Sequence, residues 1–260
     1  MTVARCTIPA LAVCLAWLSV GGQAQQPTPA FDVVSVRPNT STDGTIDIPP
    51  TPPEGVVLHN RSVADVIRYA YQLPSFRVFG LPRWTEDERF DIVAKAAGAI
   101  TEDQRQAMVR TLLATRFRLK AHFEKRDQTI YVMTRARADG SLGTGLRPRP
   151  DCVTTPCQRS GSSSRVAGVI RLRGTTMAGL ADGPMSSILG QVVRDESGIE
   201  GVFDVQASWR PDAVDAAIVP NDERPSFFTA IQEQLGLRLE PRREAVEVLV
   251  VESVERPTPD

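Results

Sequence analysis

The sequence predicts an α+β protein: two tandem copies of a β-α-β-α-β-β unit, each a small sheet with helices packed on one face, preceded by an N-terminal strand. Three observations lead there. Segments with apolar residues at helical spacing alternate with short segments of period two. The same order of six elements occurs twice, with matched residues about 113–118 positions apart. The composition, 42% hydrophobic and 23% charged over 260 residues, excludes disorder, collagen and coiled coil and supplies enough apolar side chain for a core. With 30 Lys+Arg against 31 Asp+Glu the net charge is -1, so nucleic acid is not an expected partner.

Residues 1–24 read as a signal peptide. Arg5 is their only charge, an apolar stretch runs from Ile8 to Val20, and Gly22 and Ala24 place small residues before a cut at Gln25. The stretch is shorter than the roughly 20 residues of a membrane span, so export to the periplasm or medium, without stable transmembrane insertion, is expected. A lipoprotein anchor at Cys14 is disfavoured, because Val13 stands where such signals carry Gly, Ala or Ser. Phe31 to Val36, closed by Arg37-Pro38-Asn39, is the N-terminal strand.

The first copy completes the segment 25–137. Val56 to Leu58 form a strand, and Ser62 caps a helix whose stripe is Val63, Val66, Ile67, Ala70 and Tyr71. After turns at Pro74, Gly80 and Pro82 comes the strand Phe90 to Ala94. Thr101 and Gln104 then make a capping box for a helix carrying Met108, Leu112 and Leu113. Two closing strands follow, one alternating Phe117, Leu119, Ala121 and Phe123, the other Ile130 to Met133.

Residues 138–167 are rich in Gly, Ser, Pro and Arg and read as a linker. Removal of the signal leaves Cys152 and Cys157, and the turn-forming C-x4-C spacing in an exported chain predicts a structural disulfide between them. The second copy fills 168–260: a strand from Val169 to Leu172, a helix after Thr176, a strand from Phe203 to Ala207 and a helix from Ser226 to Leu235. Its closing strands carry Leu235, Leu237, Leu239 and Val246, Val248, Val250. Leu58 matches Leu172, Ser62 matches Thr176, Phe90-Asp91 matches Phe203-Asp204, and Ile130 matches Val248.

Catalytic and metal-binding patterns are missing from the sequence. It has no G-x-S-x-G, H-E-x-x-H or phosphate-binding glycine loop, and His59 and His122 are its only histidines. No cofactor, metal ligand or catalytic residue is therefore assigned. His122 faces solvent on its alternating strand, and His59 makes local hydrogen bonds. Asp91 and Asp204 occupy matching positions where two carboxylates would hydrolyse a glycosidic bond, yet the duplication accounts for them without chemistry. Trp84 and Trp209 are candidate ligand contacts. Leu249 and Val251 are candidate partner contacts if Val246 to Val251 is an edge strand, and interior residues if it packs under helices.

Several motifs are familiar in order: Phe31 to Asn39, Arg89 to Ala96, Leu112 to Lys120, Leu189 to Gly201 and Phe228 to Leu237. Together they resemble the soil-associated exported protein family expanded in soil bacteria such as the Acidobacteria, over about Phe31 to Pro257. The resemblance implies an exported α+β domain without an assigned activity and carries no catalytic residues. The chain departs from that pattern at Asp182-Gly183-Pro184, where a helix should break. It departs again at Val192 and Arg194, which leaves open how deeply that strand is buried. Each half also looks like the short N-terminal domains of secretins and TonB-dependent receptors in its element order. The leading expectation is an exported, non-catalytic binding module for an envelope protein, peptide or glycan. The alternatives are a polysaccharide hydrolase with carboxylates in the cleft between copies and a sensor ectodomain for a separately encoded partner.

Overall fold

Residues 29–40, 52–154, 160–211 and 222–257 are described by a computed structural model. The fold is α+β, built around a long antiparallel ribbon that the two halves of the chain share. The first sheet has the order β1 (Val33–Asn39), β4 (Arg89–Lys95), β2 (Gly55–Ser62), with both neighbours antiparallel to β4. Its inner side carries Val36, Val56, Phe90, Ile92 and Ala94, each at most 3% exposed. Helices α1 (Val63–Tyr71) and α3 (Glu102–Arg116) cover that side with Val63, Val66, Ile67, Val109 and Leu113. Both starts follow the sequence: the Ser62 hydroxyl accepts the Asp65 N–H, and Thr101 and Gln104 cap each other reciprocally. Between them lie the short strand β3 (Val78–Phe79) and the single turn α2 (Trp84–Asp87).

The second sheet has the order β6 (Leu146–Pro148), β10 (Phe203–Ser208), β8 (Val169–Thr175), β7 (Ser160–Ser164), antiparallel throughout. Ile170, Phe203, Val205 and Ala207 face its core. The covering helices are α5 (Met177–Leu180), continued through a π turn into α6 (Ser186–Leu189), and α7 (Phe227–Ala230), continued through a second π turn. Two expectations change here. The segment 138–167 carries β6, the short helix α4 (Asp151–Thr154) and β7, and Leu146 is 3% exposed in the core. At Pro184 the helix widens over Ala181–Met185 instead of breaking, an i→i+5 turn that accommodates a residue lacking an N–H.

The closing strands also differ from the expectation. Lys120–Arg135 is one continuous strand, β5, and Leu237–Ser253 is another, β11. They pair with each other from Leu237 opposite Arg135 to Val251 opposite Ala121. Period two alone cannot show that two alternating runs are one strand when polar residues join them. Each end of the ribbon gains a short parallel neighbour: β3 beside Leu249 and Val250, and β9 (Val193–Asp195) beside Tyr131 to Met133. Leu249 and Val251, near the chain's end, therefore complete the first core, while Met133 joins Leu237 and Leu239 in the second. Ile130, Val132, Val246 and Val248 form a third cluster. In β9, Val193 is buried and Arg194 points out to pair with Glu244.

The first and second sheets share several local features. In β2 the ladder slips at a bulge, where Asn60 has φ 51° and donates its N–H to Asp91 at 2.9 Å. In β8 the ladder slips where Gly174 has φ 69° and donates its N–H to Asp204 at 3.1 Å. An L side chain is strained at such angles, so Asn60 with its short polar side chain is the tolerable non-glycine choice. Asn39 donates to Asp91 at 2.9 Å as Arg149 does to Asp204 at 3.1 Å. Pro38 lies opposite Phe90 as Pro148 lies opposite Phe203.

Candidate functional site

The outer face of the second sheet forms a polar groove of about 580 Å³, within the usual range for ligand sites. Two rows of residues run across the sheet, the second starting at Gly145 just before β6. Arg147, Asp204, Arg173 and Ser160 form one, and Gly145, Gln206, Arg171 and Ser162 form the other. The local sequence dictates this face. In Ile170-Arg171-Leu172-Arg173 the pleat turns Ile170 into the core and both arginines outward, about 7 Å apart. Across the strands, β6 sets Arg147 about 10 Å from β8.

Asp204 is the one carboxylate in the lining among the described residues, and it is committed to Arg149 and to the Gly174 N–H. Arg149 is held charged by Asp151 and then by Asp204, which raise its pKa. Arg147, Arg171 and Arg173 have no ion pair or side-chain hydrogen bond among the described residues. The groove is thus positive in a chain of net charge -1. Gln234 closes one end, its amide accepting the Ser208 N–H at 3.0 Å and donating to the Ser208 carbonyl at 2.8 Å.

The residues singled out from the sequence lie elsewhere. Trp209 is 2% exposed, edge-on to Phe227 at 5.0 Å in the second core, so it offers no surface to a ligand. Leu249 and Val251 are 0% and 5% exposed, and their strand is interior, paired on both sides at Leu249. The packed alternative describes them, and the edge-strand alternative does not. Trp84 is half-buried at the start of α2, with the Arg256 guanidinium 4.9 Å above its ring. Cys152 is 7% exposed at the start of α4, and Cys157 lies outside the described residues, as do residues 1–24.

Asp91 sits in the first sheet and Asp204 in the second, each absorbed by its own bulge. Burial by itself would raise the Asp91 pKa, but the Asn39 amide and the Asn60 N–H outweigh it and hold the carboxyl below its usual range. His59 lies 3.5 Å from Asp91, and the exposed His122 contacts Glu252 at 2.7 Å. A cleft lined by Arg68, Phe76, Glu86 and Ser187 lies between α1 and α6, and its one carboxylate, Glu86, pairs with Arg68 at 2.9 Å. No group of three His, Cys, Asp or Glu able to hold a metal occurs among the described residues, and no helix there is long and apolar enough to cross a membrane.

A family model matches residues 64–254, from the first helix to the end of the ribbon. The chain belongs to the DUF3738 family, described as proteins of unknown function. The match covers the second core and the arginine groove of this DUF3738 domain, and the first core apart from strands β1 and β2 and Val63. Neither the curated proteins nor the solved structures searched contain a match.

The groove was missed in the sequence because its arginines lie on two segments, one of them read as a linker. The pair Arg171 and Arg173, on one face of a strand whose counterpart carries Val57 and His59, was the available signal.

Proposed function

We propose that this DUF3738 protein is an exported, non-catalytic binding module, formed by tandem duplication, whose ligand lies in the arginine groove. Three uncompensated guanidiniums facing one cavity carry the reading. Fixed charges left unneutralised among the described residues favour an anionic ligand, and no hydrogen bond there joins a lining hydroxyl to a base. Export is supported by the signal-like residues 1–24 and by the C-x4-C pair, for which a structural disulfide is proposed. Duplication is supported by the shared bulge, aspartate and proline positions of the two sheets. Kinship with soil-associated exported proteins, and likeness of each half to the short N-terminal domains of secretins and TonB-dependent receptors, belong to the same proposal. The cleft does not favour the hydrolase alternative, because its carboxylate is paired and the matched aspartates lie in separate sheets.

The test is ligand-observed NMR with a panel of acidic and neutral oligosaccharides and peptides, run beside Gln206→Trp. Gln206 is exposed in the middle of the groove, so the larger side chain fills it without entering the core. Binding that disappears in the variant at an unchanged thermal midpoint supports the reading. Binding untouched by the variant, or turnover of any ligand, overturns it.

A further inference from the structure

We infer that the groove takes a segment of acidic polysaccharide lying across the strands, its carboxylates held by Arg147, Arg171 and Arg173. The inference rests on the binding reading above and names the ligand class. Its first support is a comparison within the molecule. The positions of the first sheet that correspond to Arg171 and Gln206 carry Val57 and Val93, opposite each other across the ladder as Arg171 and Gln206 are. The position corresponding to Arg173 carries His59. The first sheet thus forms without arginine at these two sites, so the fold does not require Arg171 or Arg173, while the position of Arg147 carries an arginine, Arg37, in the first sheet as well.

The second support is geometry. The lining runs from β6 to β7, across the whole width of the sheet. A peptide added at the outer edge of β7 would lie four strand spacings, about 19 Å, from β6 and Arg147. A peptide lying across the face instead would meet no free backbone ladder to satisfy its amides. A sugar chain has no such ladder, and its hydroxyls suit Ser160, Ser162 and Gln206. Among the described residues the lining holds no aromatic ring, which removes the usual stacking platform for a neutral sugar and leaves charge as the main attraction.

Isothermal titration of the full chain with oligogalacturonate and oligoalginate tests this, with Arg171→Gln/Arg173→Gln as the variant. Arg37→Gln, altering the residue that corresponds to Arg147 in the first sheet, is the control. Each charge-assisted contact is worth roughly tenfold or more, so the double variant should bind about a hundredfold more weakly at an unchanged thermal midpoint. The control should bind as the parent does, and affinity should fall as salt rises. Fully methyl-esterified oligogalacturonate should not bind. Equal binding of the ester overturns the charge assignment; loss of that binding in Gln206→Trp would then still uphold the groove reading. Equal or tighter binding of poly-glutamate, or displacement by inorganic phosphate at equal charge concentration, overturns the glycan assignment. Failure of both acidic glycans to bind overturns it outright.

Discussion

Replacing Leu249 by alanine tests the shared ribbon. Leu249 stands near the end of the chain, yet it is 0% exposed in a cluster with Val63, Ile67, Phe90 and Leu113 of the first half. Truncating a fully buried leucine removes its transfer free energy and leaves a cavity, and such changes cost about 2–5 kcal/mol. For a leucine 0% exposed in the core, about 3–4 kcal/mol is expected, or about 6–16 °C in melting temperature for a chain of this size. In protein starting at Gln25, Trp84 and Trp209 are the two tryptophans, packed against the first and second cores respectively. Fluorescence melts in Trp209→Phe and Trp84→Phe backgrounds therefore report the cores separately. Leu249→Ala should lower the Trp84 transition at least as much as the Trp209 transition, because the ribbon links them. A shift confined to Trp209 would refute the shared ribbon and restore two halves each closed by its own strands.

Three further outcomes are expected. Gly145→Ala should cost about 1–3 kcal/mol in denaturant melts, because a Cβ there would overlap the Gln206 carbonyl oxygen, a backbone atom that cannot swing aside. Asp91, held below the usual carboxylate range when folded, contributes stability that is complete above its unfolded pKa of about 4 and is lost as pH falls through the lower folded value. Asp91→Asn should flatten that acid limb in pH-dependent melts, and an unchanged limb would remove Asp91 as its source. Protein recovered from the producing cell should begin at Gln25 and resist alkylation at Cys152 and Cys157 until reduced. An intact Met1, or equal labelling with and without reductant, would count against export with a disulfide.

Local signals carried the elements well. Ser62, Thr101, Thr176 and Ser226 each cap the helix their sequence announces, because a cap is a contact between near neighbours in the chain. The matched pairs Phe90-Asp91 and Phe203-Asp204 were equally legible, since the same bulge constrains both. What stayed hidden depends on long-range pairing. Nothing local tells Lys120–Arg135 to run on through Glu124-Lys125-Arg126-Asp127 as one strand, and it is β11 opposite that holds it extended. Leu146 lies in a Gly- and Arg-rich stretch, and only its pairing with Val205 makes it core. Trp209 looked like a ligand contact because an aromatic side chain serves a core and a binding surface equally well.

The central claim is that the outer face of the second sheet binds the ligand, and backbone-amide NMR during titration of the full chain with oligogalacturonate tests it most directly. Shifts confined to the rows through Arg147, Ser160, Ser162, Arg171, Arg173 and Gln206, with the first sheet silent, are the predicted result. Shifts centred on Arg68 and Glu86 in the cleft, or on Val57 and His59 of the first sheet, would contradict it.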